Sequence, residues 1–562
     1  MKLKALKPRL HNAMFHTHTV SGIVISFALF VCFYAGAVAL FMDELYQWEN
    51  PNARIEIVNP ASVDYDRVLE AVEANVPNFD PASQFGMTPP TLENPLVRFY
   101  GNTKKDKEDP EAKTERFSAS VNPTTYAIDW GREPKTHMAQ TLYHLHYFGQ
   151  IPMVGIYLSG LVAFFFLFAI FTGVLTHWKN IVSKFYAFTT KGKWKQIWTN
   201  GHISLGLLAL PFQLIYAVTG SLLGLSILLL LPSAFLMFDG DTTEVLKAVS
   251  PAAAHTYDKD AAPIENGIAF NDAYNQSMAT HPDTKITYMY SRNFGKEDGT
   301  LTTVLNDGQS IGGDGTLVFS LKDGTLVDAI EPNNKSYTEG TFGILIKLHY
   351  ATFGGIFMKI VYFILAMITC YIIISGMMIW RTARDNKKYS DKQRRFHHRV
   401  TKVYLAICLS MFPALALIFI GNKVVPMDWP DRVFYVDSIF FLGWLVLSLT
   451  GLFWNNYRKL NRNYILIGSA LGLLIPVVNG MVTGDWLWKT LANGQYYVFS
   501  VDFTWMVIGI FGLVISLVSL RKKEKIKENH TAQLSREEIT KPPVLVEEPA
   551  PVLQDFSSTA KG

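Results

Sequence analysis

The chain has 562 residues, of which 49% are hydrophobic and 17% charged, whereas a soluble protein carries about 25% charged residues. The shortfall is concentrated in stretches of around 20 apolar residues, each long enough to cross a ~30 Å hydrocarbon layer. A wholly soluble enzyme, a disordered protein and a nucleic-acid binder are excluded. The net charge of +4 acquires meaning only when it is divided by side of the membrane.

Eight spans are predicted in chain order, over residues 20–42, 153–176, 204–236, 356–380, 403–422, 433–454, 464–484 and 501–520. The first is long, lacks an A-x-A cleavage site and reads as a retained helix rather than a signal peptide. Two polar segments of about 100 residues, 43–142 and 237–343, interrupt the first four spans. Each contains a short helical pattern (YDRVLEAVEANV, FNDAYNQSMATH) and strand-like alternation (TTYAID, LVFSLKDGTLVDAI), so each is expected to form a small α+β domain. The fold class is therefore a polytopic α-helical membrane protein with two inserted α+β domains. Residues 1–42 hold a basic start and the first span, and 143–236 hold the second and third spans. Residues 344–402 hold the fourth span and a basic loop, 403–520 an accessory bundle of four spans, and 521–562 a polar tail expected to be disordered.

Sidedness follows from Lys and Arg. MKLKALKPR, the segment WKNIVSKFYAFTTKGKWKQIWTN, RTARDNKKYSDKQRRFHHRVTK, NNYRKLNRN and RKKEKIK are all basic. They fall on one face if both termini are cytoplasmic and the number of spans is even. The two polar segments, rich in Asp and Glu, then lie outside. Cys32, Cys370 and Cys408 each sit in an apolar run, so no disulfide framework is available. No CxxCH sequence is present, which excludes a covalently attached c-type haem.

The first 380 residues repeat. HTVSGIVISFALFVCFYAG from His18 matches HISLGLLALPFQLIYAVTG from His202, with glycines four and eighteen residues on (Gly22 and Gly36, Gly206 and Gly220). HLHYFGQIPM from His144 matches HYATFGGIFM from His349, each with Phe-Gly at the same offset. These spans close with TGVLTHW and SGMMIWR. The repeat thus places His18 and His202 at the basic ends of two helices, and His144 and His349 at the outer ends of two others. Two neutral imidazoles at one depth supply both axial ligands of a haem iron, so the pattern predicts two haem b groups, one near each membrane surface. The glycines would let a flat macrocycle or a second helix approach the backbone. His16 and His177 are alternatives on the basic side, and His146 is an alternative to His144, which the spacing to Phe-Gly favours. His397 and His398, in the most basic loop, are expected to be solvated. From His349 to Trp380 a continuous helix would run roughly 46 Å, so the outer histidines lie at or beyond the headgroups unless Gly354-Gly355, and Pro152 in the other copy, break the helices.

The accessory bundle has a weaker repeat. Its spans carry Asn422 with Asp428-Trp429, Asn479 with Asp485-Trp486, Val436-Asp437 and Val501-Asp502. The acidic residues sit at the outer ends, where interfacial caps or salt bridges are expected, with a cation or proton site as the alternative.

With these motifs the sequence resembles the PepSY-associated transmembrane helix family over residues 10–385, through His18-x3-Gly22, the two His-x3-Phe-Gly starts, TGVLTHWKNIVSKFYAFTTKGKWKQIWTNGHISLGLLALPF and ASVDYDRVLEAVEANVP. The resemblance implies a bacterial inner-membrane protein with two b-type haems on four core helices. It also implies periplasmic PepSY-like domains and reduction of ferric siderophore to release Fe(II). The absence of a Gly-rich dinucleotide fingerprint after a strand argues against NAD or flavin in this chain, which leaves quinol or a redox protein as donor. A non-redox protein that binds and regulates an envelope peptidase is the alternative, and a metal or siderophore permease a third, with Gln213 and Asn479 as its main mid-membrane polar residues.

Overall fold

The computed structural model describes residues 7–539 except 105–113, 132–137, 242–243, 245–254, 259, 265–266, 309–310, 313, 333, 335–336 and 455. Among the described residues seven helices are long and apolar enough to cross a bilayer. They are α1 (Pro8–Ala39), α5 (Gly155–His177, continuing to Phe185), α10 (Gly355–Arg384), α11–α12 (Asp391–Leu409, Met411–Val424), α13 (Arg432–Gly451), α14 (Tyr457–Thr483) and α15 (Tyr496–Ile539). The eighth span is a pair bent by 71°, α6 (Trp194–Leu208) and α7 (Leu210–Met237). The bend falls where Pro211 enters the first turn of α7, a position at which proline's missing N–H costs nothing. Phenylalanines such as Phe164, Phe168 and Phe171 on α5 are exposed, as lipid-facing side chains should be. The polar tail, expected to be disordered from residue 521, is helical to Ile539; the remainder, 540–562, lies outside the described residues.

Shorter helices include α2 (Met42–Glu49), α3 (Tyr65–Asn75), α4 (Met138–His146) and α8 (Phe270–Thr280), with α9 (Tyr337–Tyr350) leading into α10. The helix breaks allowed for in the sequence are present. Between α4 and α5 the backbone turns through left-handed Phe148 and Met153, and between α9 and α10 through Ala351, Gly354 and Gly355. His144, His146 and His349 therefore ride on short helices separate from the spans.

The two polar segments do not form separate domains. They share one antiparallel sheet, ordered β4-β3-β2-β1-β5-β6-β7-β8, from strands β1 (Phe85–Thr88), β2 (Val97–Lys104), β3 (Thr114–Val121), β4 (Ile128–Gly131), β5 (Lys285–Arg292), β6 (Thr300–Asn306), β7 (Gly315–Ser320) and β8 (Leu326–Ile330). Each half is a helix followed by a four-stranded meander, and the halves join through β1 and β5, with Met87 opposite Met289. Each first strand would otherwise present an unpaired edge, and pairing the edges removes both. The core under the sheet includes the fully buried Phe85, Phe99, Phe270, Met87 and Met289, each stabilising by roughly 1.5–3 kcal/mol. The helices cap each other: Asp66 accepts from the N–H groups of Phe270 and Asn271 (2.7 and 3.1 Å), and Asn271 Oδ1 accepts from the Tyr65 N–H (2.8 Å). Within TTYAID only the last residues enter a strand, because Tyr126 takes a left-handed turn conformation (φ 58°).

Candidate functional site

Along α1 the backbone rises about 1.5 Å per residue, so His18 and Gly36 are separated by roughly 27 Å, close to the thickness of a hydrocarbon core. A pair of imidazoles lies at each of these levels.

At the basic end, His18 on α1 faces His202 on α6, with ring centres 6.1 Å apart and planes at 76°. His18 Nδ1 donates to the Ala169 carbonyl on α5 (2.8 Å), and His202 Nδ1 to the Ile372 carbonyl on α10 (3.0 Å), with Ser375 Oγ equally close. At the sheet end, His146 on α4 faces His349 on α9, with ring centres 5.8 Å apart. His146 Nδ1 donates to the Cys32 carbonyl on α1 (2.7 Å). Thr219 on α7 gives its own proton to Ile215 (2.6 Å), so its oxygen accepts from His349 Nδ1 (2.9 Å). In all four residues the Nδ1 proton is thus held by a neighbouring helix, which fixes the tautomer and leaves the Nε2 lone pair for another partner. Burial lowers the pKa of His146 and pushes that of His349 down to about 3, so both are neutral imidazoles, the form that binds metal.

One local device recurs in three of the four. The carbonyl that accepts from the imidazole belongs to residue i of a helix, and residue i+4 is glycine: Ala169 and Gly173, Ile372 and Gly376, Cys32 and Gly36. A helix carbonyl has a second lone pair to spare, but a side chain one turn on would block the ring. A Cβ on Gly36 would stand 2.4 Å from His146 Nδ1, on Gly173 3.0 Å from His18 Cε1, and on Gly376 3.3 Å from His202 Cε1. In the fourth, Gly220 lies beneath His349 (3.8 Å) and Thr219 takes over as acceptor. Of the glycines eighteen residues after His18 and His202, Gly36 therefore admits an imidazole, whereas a Cβ on Gly220 would meet Ala163 first (3.2 Å). A Cβ on Gly22 or Gly206 would meet nothing within 4 Å.

His144, favoured in the sequence by its spacing to Phe-Gly, does not face His349. Two residues apart on a helix are turned by about 200°, so only one of His144 and His146 can look into the bundle. The His144 ring bonds Gln140 (Nε2 to Nε2, 2.8 Å) and packs on Tyr147. The two copies superpose by their helix ends rather than by Phe-Gly. Gly149 N–H bonds the His144 carbonyl across left-handed Phe148, and Thr352 N–H bonds the Lys347 carbonyl across left-handed Ala351, the pattern of a Schellman cap. His144 then corresponds to Lys347, and His146 to His349. At the basic end, His16 is exposed and edges Phe15 (5.8 Å). His177, the last residue of α5, is half-buried beside the His18 pair.

Two imidazoles that shared one metal ion, each with a nitrogen about 2 Å from it, would have ring centres up to roughly 6 Å apart. Both pairs fit a bis-imidazole haem in spacing, tautomer and glycine clearance. Between them Phe33 contacts Phe166 (5.5 Å) and Tyr216 (5.4 Å), and Tyr216 contacts Tyr362 (5.3 Å). Beside α4, under the sheet, lies a cavity of about 1070 Å³ whose walls include Tyr46, Arg98, Tyr100, Arg116, His144 and Tyr288.

The profile of a family described as the PepSY-associated TM region matches residues 15–383. A comparison with curated proteins gave no match.

Proposed function

The chain belongs to the PepSY-associated TM region family, and from that premise we propose that it is a two-haem membrane reductase. It would carry electrons across the bacterial inner membrane to a ferric siderophore or similar ferric chelate and release Fe(II) in the periplasm. The observation that carries this reading is the pair of facing imidazole couples, each with Nδ1 anchored and Nε2 left over, at the two ends of the core helices.

In this reading His18 and His202 hold one haem b and His146 and His349 the other. Haem b, when bound, supplies one-electron Fe(III)/Fe(II) chemistry. The protein's own groups hold the ligands: the carbonyls of Ala169, Ile372 and Cys32 and the Thr219 hydroxyl keep each imidazole in one tautomer and orientation. The basic face is taken as cytoplasmic, with both termini there and the sheet in the periplasm. Two electrons from one quinol, which leaves as quinone and two protons, match two ferric chelates reduced to Fe(II) and free chelator. The cavity under the sheet, with Arg98 and Arg116 on its wall, is where an anionic chelate would approach the outer pair.

The test uses purified protein in proteoliposomes, supplied with quinol and with a ferric chelate plus an Fe(II) trap on the sheet side. Trapped Fe(II) that depends on the protein and is lost on His146→Ala is expected. Protein that carries both haems yet transfers nothing would overturn the reductase assignment. Protein without haem would favour the binding of an envelope partner instead.

A further inference from the structure

The bundle formed by α11–α15 lies outside the matched family region, which ends at residue 383. Several of its polar residues reach the core at the sheet end, where their partners lie on α2, on α4 and just beyond α2.

Asn422 on α12 donates to Glu49 Oε1 (3.2 Å). Asp502 on α15 accepts from Trp48 Nε1 (2.8 Å) and from Asn479 Nδ2 on α14 (2.7 Å). Asp485 pairs with Arg54, just beyond α2. Lys423 donates to the Trp48 carbonyl and sits 3.8 Å from the centre of its ring. Arg432 on α13 bonds the carbonyls of Asn422 and Val425. These contacts fix the end of α2, and α2 ends on Glu49.

Glu49 is 3% exposed, and its Oε1 also accepts the N–H groups of Met138 and Ala139 (2.7 and 3.4 Å). These are the first two residues of α4, whose N–H groups have no partner within the helix and which favour a negative charge nearby. One turn on, buried Thr141 donates to Asp437 on α13 (2.6 Å). The helix that carries His146 is thus held at its start by a carboxylate from α2, itself bonded to the accessory bundle, and along its length by a carboxylate of that bundle. His349 sits on α9, where Lys347 pairs with Asp314 (2.9 Å) near the sheet.

We infer that the accessory bundle is a positioning device for the outer imidazole pair, acting through Glu49 and Asp437 on α4. Glu49, Thr141 and Asp437 are positioning residues that act on His146 through α4, and all three also line the cavity beside that helix. The inference rests on the two-haem reading for its consequence but not for its geometry. It assigns to α11–α15 a task on the outer side only, since the carbonyls that anchor His18 and His202 belong to α5 and α10.

The test is made on the full chain as purified, comparing Thr141→Val (nearly isosteric), Glu49→Ala and Glu49→Gln, which keeps an oxygen for the α4 N–H groups. Hydrogen–deuterium exchange over residues 138–146 is expected to accelerate about fivefold in Thr141→Val and more in Glu49→Ala, as loss of an anchoring hydrogen bond or helix cap implies. Glu49→Gln is expected to restore most of the protection, and exchange around His18 and His202 to stay unchanged. In the same samples the midpoint potential and electron paramagnetic resonance signal of one haem should shift while those of the other stay fixed. Unchanged exchange in α4, or an equal acceleration in α4 and at the His18 end, overturns the inference, as does an equal shift of both haems. If the purified protein holds no haem, the two-haem reading fails and the exchange comparison alone decides this one.

Discussion

The imidazole pair at the basic end and the pair at the sheet end use the same chemistry on different supports. His18 and His202 sit on α1 and α6 and lean on α5 and α10, so their geometry is set by helices packed against each other within the core. His146 and His349 sit on the short helices α4 and α9, which break from the spans at Phe148 and Ala351. A short helix contributes little stability of its own, and α4 is accordingly fastened from outside, by Glu49 and Asp437. A pair carried on short helices beside the sheet, where the cavity opens, needs further anchors.

The comparison is broken most directly by removing a ligand from one pair. His146→Ala or His349→Ala is expected to remove roughly half of the bound haem and to leave the signal of the other group. His18→Ala should remove the complementary half, and His144→Ala should leave both, as haem analysis of each variant would show. Next in size is Gly36→Ala, whose methyl group would stand 2.4 Å from His146 Nδ1 and which should cost the outer site most of its occupancy. Gly22→Ala, with nothing within 4 Å of the added Cβ, serves as its control and should bind as the parent does.

A smaller effect is expected of Thr219→Val, which removes the acceptor for His349 Nδ1. The imidazole can then turn, and the outer signal should broaden with occupancy retained, since loss of such an orienting partner weakens metal binding about 10–100-fold without abolishing it. Smallest is Asp64→Ala on the sheet, which deletes the N-cap of α3 and should lower the stability of the sheet region by about 1 kcal/mol in a denaturant titration. Slight desolvation of the exposed Asp64 carboxyl raises its pKa, but hydrogen bonds from the Arg67 N–H and the Asn271 amide outweigh it and hold the carboxyl below its usual range. Its contribution is therefore present above pH ~4 and fades as pH falls through the lowered value. In the Ala variant that part of the acid sensitivity should be missing.

Much of this was legible in the sequence. Apolar length set the spans, including the long third run that bends at Pro211. The glycines eighteen residues after His18 and His202 stand out in the repeat, where close approach to the backbone is expected, and Gly36 is where His146 packs on α1. Three things were not legible, each for a physical reason. The choice of His146 over His144 depends on helix phase and on where a Schellman cap falls, and Phe-Gly marks different points in the two copies: Phe148 is itself the left-handed residue, whereas Phe353 lies two beyond Ala351. The fusion of the two polar segments into one sheet rests on β1 pairing with β5 across some 200 residues, which no local pattern encodes. The acidic repeat of the accessory bundle is visible in the sequence, and its placement predicts interfacial pairing. Its partners Trp48, Glu49 and Thr141 lie hundreds of residues away and carry no signature of their own.

The central claim, that the two imidazole pairs each hold a haem, is tested most directly by the haem-to-protein ratio of the purified full chain, taken from its oxidised and dithionite-reduced spectra. A b-type spectrum at a ratio of two, falling to one in His146→Ala and staying at two in His144→Ala, is the expected result. A chain that purifies without haem, or one whose ratio is unmoved by His146→Ala, would contradict it.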